Sequence, residues 1–141
     1  MGAFEIREDF YLNDQPFKIL SGAIHYFRID REDWYHSLYN LKALGFNTVE
    51  TYVPWNAHEP QRGHFHFEGN LDLEHFIQVA QELGLYVILR PSPFICSEWE
   101  FGGLPAWLIE EDLRIRSSDP ACLEEVARYY NELLPRVAKY Q

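Results

Sequence analysis

The 141-residue sequence predicts an α/β fold: a partial (β/α)8 TIM barrel, its first three βα units preceded by a short N-terminal β-hairpin. Three observations predict it. Strand-like and helix-like stretches alternate in units of roughly 30 residues, the size of a βα crossover, which yields a parallel sheet with helices outside it. The loops that follow strands are long and chemically rich, whereas the turns that lead back into strands, such as Leu44-Gly45-Phe46-Asn47 and Leu83-Gly84-Leu85, are short. That asymmetry suits a barrel whose site is built at the C-terminal ends of its strands. A doubly wound sheet shares the asymmetry but opens with a glycine-rich phosphate loop. Here His25-Tyr26-Phe27-Arg28 stands in that place.

Taken in order, Phe4 to Leu12 alternates weakly around the polar Arg7-Glu8-Asp9 and reads as a hairpin, with a turn at Asn13-Asp14-Gln15-Pro16. Phe17 to Ile24 is a first core strand ending near His25. A helix opens at Arg31-Glu32-Asp33, puts Trp34, Leu38, Leu41 and Leu44 on one face, and stops at Gly45. The β-branched and aromatic run Thr48–Val53 is the second strand. Leu71–Leu83 is the second helix, with an apolar stripe of Leu73, Phe76, Ile77, Ala80 and Leu83. Tyr86–Leu89 is a near-continuous apolar strand, the pattern expected when both faces are covered. A long loop from Ser92 to about Pro105 leads to a short helix, Ala106–Glu110. Asp119-Pro120 then supplies an N-cap and first-turn proline for a last helix through Tyr140. Three βα units fall short of the eight, and about 250 residues, that close a barrel. Residues 1–141 are therefore incomplete as a barrel.

Composition narrows the function classes. Hydrophobic residues make up 47% of the chain, enough for a core, and argue against disorder. The net charge of −10 disfavours nucleic acid and anionic membranes, which attract Lys and Arg. Cys96 and Cys122 form neither a CxxC pair nor a disulfide framework and read as free thiols. Met1 to Asp9 lacks a basic start followed by an apolar stretch, and no run is long enough to span a bilayer. A cytoplasmic protein is the expectation.

Strand alternation places Glu50 and Tyr52 on one face of the second strand, opposite Val49, Thr51 and Val53. Arg90 ends the third strand on the face that carries Ile88, so a Glu50–Arg90 contact is expected; a structural ion pair is the simpler meaning of it. Tyr52 lies one layer nearer the mouth, as a sugar-contacting phenol or as a core tyrosine. The loop Arg90 to Pro105 carries Glu98-Trp99-Glu100 between stiffening prolines and loosening glycines. Aromatic faces and carboxylates of this kind suit sugar rings. Glu98 and Glu100, two apart, are expected to point in opposite directions. His58, His64 and His66 lack the converging partners of a metal site and read as ordinary hydrogen-bonding loop residues. No metal or cofactor is expected.

Three stretches carry a resemblance: Ser21-Gly22-Ala23-Ile24-His25-Tyr26-Phe27-Arg28, then Asn47 through Thr51-Tyr52-Val53-Pro54-Trp55-Asn56 to Pro60, and Leu89-Arg90-Pro91 through Ile95-Cys96-Ser97-Glu98-Trp99-Glu100 to Trp107-Leu108. In order and spacing, over essentially the whole chain, these resemble family 35 glycoside hydrolases. The resemblance implies that residues 1–141 are the N-terminal portion of a larger (β/α)8 catalytic barrel domain that hydrolyses terminal β-galactosides with retention, acting on β-galactoside oligosaccharides or glycoconjugates. It implies galactose contacts from Tyr52, from the backbone around Cys96 and Ser97, and from the Glu98 carboxylate. His25, Tyr26 and Arg28 would form wall and support at the first strand's mouth. It also implies an acid/base Glu after the fourth strand and a nucleophile Glu near the seventh, both expected beyond Gln141. Retention needs two carboxyl groups about 5–5.5 Å apart, and Glu98 resembles a binding group rather than either one.

Two further readings stand beside this one. The chain is a non-catalytic sugar-binding remnant or a subunit completed by a separate chain, or, more remotely, a small α/β protein unrelated to sugars. An arc of three strands exposes a parallel edge and apolar faces. Alone, it is expected to self-associate or to seek the missing barrel half.

Overall fold

A computed structural model describes residues 3–141. Met1 and Gly2, which open the stretch read for a leader, lie outside the described residues. Among the described residues, no helix is long and apolar enough to cross a membrane.

The N-terminal strands β1 (Phe4–Ile6), β2 (Phe10–Leu12) and β3 (Gln15–Pro16) form an antiparallel meander in the order β1-β2-β3. Leu12 pairs with both Phe4 and Gln15, so Gln15-Pro16 is strand rather than turn. Asn13 and Asp14 alone make the reversal, both at positive φ. Asn and Asp tolerate that region because their short polar side chains bond locally. Here Asn13 Oδ1 accepts from the Ala3 amide at 3.1 Å.

The second sheet is parallel, in the order β4 (Ser21–Ala23), β5 (Thr48–Tyr52), β6 (Tyr86–Arg90). Its register sets Ala23 against Glu50, Glu50 against Ile88, and Tyr52 against Arg90. The helices are α1 (Trp34–Ala43), α2 (Trp55–His58), α3 (Leu73–Glu82), α4 (Trp107–Glu110) and α5 (Pro120–Ala138). Helices α1 and α3 pack on each other, and α3 on β6. Trp34, Leu38, Phe76, Val49, Val53, Trp55 and Leu108 are fully buried between these layers. Gly22 permits the close seating of α1: a Cβ there would lie 2.6 Å from Leu41 Cδ1.

Four further expectations need correction. The first strand is only Ser21–Ala23, because at Leu20 the carbonyl turns to accept from the amides of Asn47 and Thr48. Leu44 is not on the buried face; α1 ends at Ala43, Gly45 follows at φ +95°, and Leu44 is 77% exposed. Strand β6 is less covered than its apolar run suggests, with Tyr86 and Arg90 exposed. Among the described residues it pairs with β5 alone; Val87 and Leu89 lean on the core, while Ile88 shares the opposite face with Glu50. The last helix stops at Ala138, short of Tyr140. Its N-terminus is as expected: Asp119 caps the Ala121 amide at 3.1 Å, with Pro120 in the first turn.

Candidate substrate-binding site

The three parallel strands deliver their side chains to one end of the sheet. Alternation on β5 buries Val49 and Thr51 toward the helices and leaves Glu50 and Tyr52 half-buried on the opposite face, where Thr48 at the strand's start is also buried. At the end of β6, Arg90 Nη1 donates to Glu50 Oε1 at 3.0 Å and to the Tyr52 hydroxyl at 2.5 Å. Its guanidinium carbon lies 4.3 Å from the Tyr52 ring centroid. The hydrogen bond to Glu50 is the first reason that Arg90 is held above its ordinary pKa. Tyr52 is thus held at both hydroxyl and ring by Arg90, which is itself paired with Glu50.

From Tyr52 a line of rings crosses the strand ends. His25 stands 5.1 Å from Tyr52 and stacks on Phe27 at 5.5 Å; Phe27 meets Trp99 edge-on at 4.8 Å. Burial, then the nearby Arg28 charge, pulls the His25 pKa down. Its buried Nδ1 makes no hydrogen bond to the described residues. A hollow of about 290 Å³ opens beside Tyr52, lined also by Leu89, Arg90, Pro91, Ser92 and Phe94. Phe94 reaches this wall because Gly102 has no side chain: a Cβ there would lie 1.9 Å from the Phe94 ring.

Cys96, Ser97 and Glu98 do not line that hollow. They form a turn in which all three residues are left-handed, at φ +59°, +54° and +48°. Such a conformation costs a non-glycine residue about 1–2 kcal/mol, so the surroundings must enforce it. The Trp99 amide donates to the Cys96 carbonyl at 3.0 Å, and Ile95 to Gly102 at 2.8 Å. Trp99 Nε1 donates to Asn56 Oδ1 at 2.9 Å, and Asn56 Nδ2 returns to the Glu100 carbonyl at 3.1 Å. Arg28 bonds the Ser97 carbonyl and, at 3.3 Å, its Oγ. Tyr129 and Tyr130 on α5 donate to the carbonyls of Pro91 and Ser92. Because the turn is not extended, alternation fails here. Glu98 and Glu100 are both exposed rather than divided between site and scaffold.

Residues 9–141 match the family model for glycosyl hydrolases family 35. The chain belongs to that family. Over 132 residues it is 53% identical to "Beta-galactosidase" of Mus musculus, covering 93% of this chain and 20% of the relative. It is likewise 53% identical over 133 residues to "Beta-galactosidase-1-like protein 3" of Homo sapiens, covering 94% and 20%. The chain thus spans about a fifth of these relatives, in their N-terminal part. Among solved structures, GH5_18 from Streptomyces cattleya in complex with GlcNAc superposes with a TM-score of 0.69 at 23% identity, over 85% of this chain and 30% of that one. A β-galactosidase from the psychrophilic Marinomonas ef1 gives 0.56 at 22% identity, over 74% and 14%. These neighbours are glycoside hydrolases built on TIM barrels, and at such identities the likeness concerns fold alone.

This family 35 chain also holds a buried polar frame that sequence reasoning left in a loop. Glu59 is fully buried. It accepts from Trp55 Nε1 and from the Gly63 amide, both at 2.7 Å, and pairs with Arg128 Nη2 at 2.5 Å. The Glu59 carbonyl takes Trp107 Nε1 at 3.1 Å. Glu125 binds Arg128 Nε at 2.8 Å and also engages Arg62; burial pushes its pKa up, but the hydrogen bonds from Arg62 and Arg128 outweigh it and hold the carboxyl below its ordinary value. The frame locks the segment after β5 to α4 and α5, the elements that carry the loop after β6. No short motif announces it, since Glu59 and Arg128 stand far apart in the chain.

Proposed function

We propose that the protein to which these residues belong is a retaining β-galactosidase, and that this chain supplies three βα units of its (β/α)8 barrel. Tyr52, the backbone of Cys96 and Ser97, and the Glu98 carboxylate bind the hydroxyls of a terminal β-galactosyl residue on an oligosaccharide or glycoconjugate. The observation that carries the reading is placement: the Tyr52 phenol and the left-handed turn with its exposed Glu98 are both fixed at the C-terminal ends of adjacent parallel strands. That is where barrels of this kind build their sites. The 53% identity to β-galactosidases over nearly the whole chain supports the sugar.

None of the carboxylates in this wall performs the bond cleavage. Glu50 is engaged by Arg90 and Glu59 by Arg128. The proton donor and the attacking carboxylate, about 5–5.5 Å apart for a retaining mechanism, come from outside these residues. The wall's contribution is to hold the galactose ring so that the scissile bond lies between them, which lowers the entropic part of the barrier. The 141 residues alone are expected to give no turnover of a chromogenic β-galactoside, while the intact protein releases β-galactose as the first product. Turnover by the chain alone, abolished by Glu98→Gln, would overturn the assignment of Glu98 to binding.

A further inference from the structure

Arg28 is an exposed cation at the end of the first strand's loop, and nothing in the hydrolytic mechanism requires a positive charge there. Its contacts are nevertheless specific. It follows Tyr26 and Phe27 in a short 3-10 turn, and Tyr26 is fully buried, so the base of the residue is anchored in the core. The guanidinium lies 5.6 Å from the Phe27 ring centroid and 5.5 Å from that of Trp99. Its two terminal nitrogens then fork onto one residue, Nη2 to the Ser97 carbonyl and Nη1 to the Ser97 hydroxyl. Ser97 is the middle of the three left-handed residues, with Glu98 next in the chain.

The geometry points to Arg28 as a positioning residue: bridging the first and third strand loops, it holds the Cys96–Glu98 turn left-handed and thereby aims the Glu98 carboxylate at galactose. This rests on the proposed binding role of Glu98. The physical case is that a run of three non-glycine residues in this backbone region persists only where several contacts converge on it. The contacts internal to the loop act at its two ends, through Trp99 to Cys96 and Ile95 to Gly102. Arg28 is what grips the centre. A lysine would reach with one ammonium but would lose the planar fork and the stacking that orient it. Small displacements of a binding carboxylate carry large kinetic costs, so a residue that never touches the sugar can control its affinity.

The test uses the intact protein with Arg28→Ala, Arg28→Lys and Glu98→Gln. Each is measured for galactose inhibition constant, KM and kcat on a chromogenic β-galactoside, and melting temperature. Arg28→Ala is expected to weaken galactose binding about tenfold, with KM affected more than kcat, at a nearly unchanged melting temperature. Millimolar ethylguanidinium should restore part of the lost affinity, whereas ammonium should not; a purely structural residue would show no such rescue. If Arg28→Ala fails to fold, Arg28→Lys decides: loss of affinity in a folded Lys variant supports the role, and native affinity overturns it. Native affinity in a folded Arg28→Ala variant, beside a clear loss in Glu98→Gln, overturns the positioning role while leaving Glu98 as a binding group. Native affinity in Glu98→Gln itself overturns the binding role and this inference with it.

Discussion

The Tyr26 hydroxyl meets His58 Nε2 at 2.5 Å inside the core, and His58 Nδ1 lies 2.7 Å from the carbonyl of His66. That carbonyl can only accept, so Nδ1 carries a proton; burial holds the imidazole neutral, which leaves Nε2 to accept from Tyr26. One histidine thereby ties the loop after β4, the short helix after β5 and the segment that leads into α3.

A pH dependence follows from that pair. Burial pulls the His58 pKa from 6.5 to about 4. The unfolded chain therefore takes up the proton first. The stabilisation is complete above pH 6.5, where both states are neutral, and drains away as the pH falls toward 4. The full effect is at most about 3 kcal/mol. Denaturant midpoints of the intact protein should fall over this window, and His58→Gln should flatten the fall. An identical slope in both proteins would contradict the assignment.

The Glu59–Arg128 pair predicts a large stability loss from a small change. Removing one partner strands a buried charge, which typically costs about 3–5 kcal/mol. Arg128→Met should lower the unfolding free energy by an amount in that range, because Glu59 keeps only its two neutral donors. Replacing both residues by apolar ones should recover part of the loss. Thermal and chemical denaturation of the single and double variants measures both effects.

Gly102→Ala should damage the hollow beside Tyr52. The added methyl would meet the Phe94 ring at 1.9 Å in a backbone at φ +61°. Overpacking of this kind costs about 1–3 kcal/mol, and the left-handed backbone adds about 1 more. A lower melting temperature together with a raised KM is the expected result.

How much of this was legible in the sequence depends on the range of the interaction. Period and capping are local, so the β5 alternation, the Trp34–Leu38–Leu41 stripe and the Asp119 cap could be read from neighbours in the chain. The Glu50–Arg90 contact followed because a parallel register transmits strand position across the sheet. Leu44 was misplaced because one residue past a helix end the periodicity stops applying. The conformation of Cys96, Ser97 and Glu98 could not be read, since three left-handed residues in a row leave no mark in residue type. Glu59, Arg128 and the two tyrosines of α5 were invisible as partners for a different reason: their contacts exist only once α5 has returned to the loops.

Tyr52→Phe separates binding from scaffold. It leaves the ring against His25 and beneath Arg90 but removes the hydroxyl that would meet the sugar. Loss of one such hydrogen bond should weaken galactose binding roughly tenfold, about 1.4 kcal/mol, with little change in melting temperature. A fall in stability with unchanged affinity would make Tyr52 a core residue.

The isolated 141 residues should self-associate. Among the described residues strand β6 has one neighbour, and Tyr86 on it, Phe94 in the loop after it and Leu123 on α5 are exposed. An open parallel edge with apolar surroundings is a template for pairing. Sedimentation velocity should show oligomers; a monomer with a sharp cooperative melt would count against this.

The most direct test of the galactose wall is a crystal structure of the intact protein with galactose bound. The Tyr52 hydroxyl and the Glu98 carboxylate should each lie within hydrogen-bonding distance of the same sugar ring, with the backbone at Cys96 and Ser97 lining its edge. A sugar seated at a site that touches neither side chain would contradict the account.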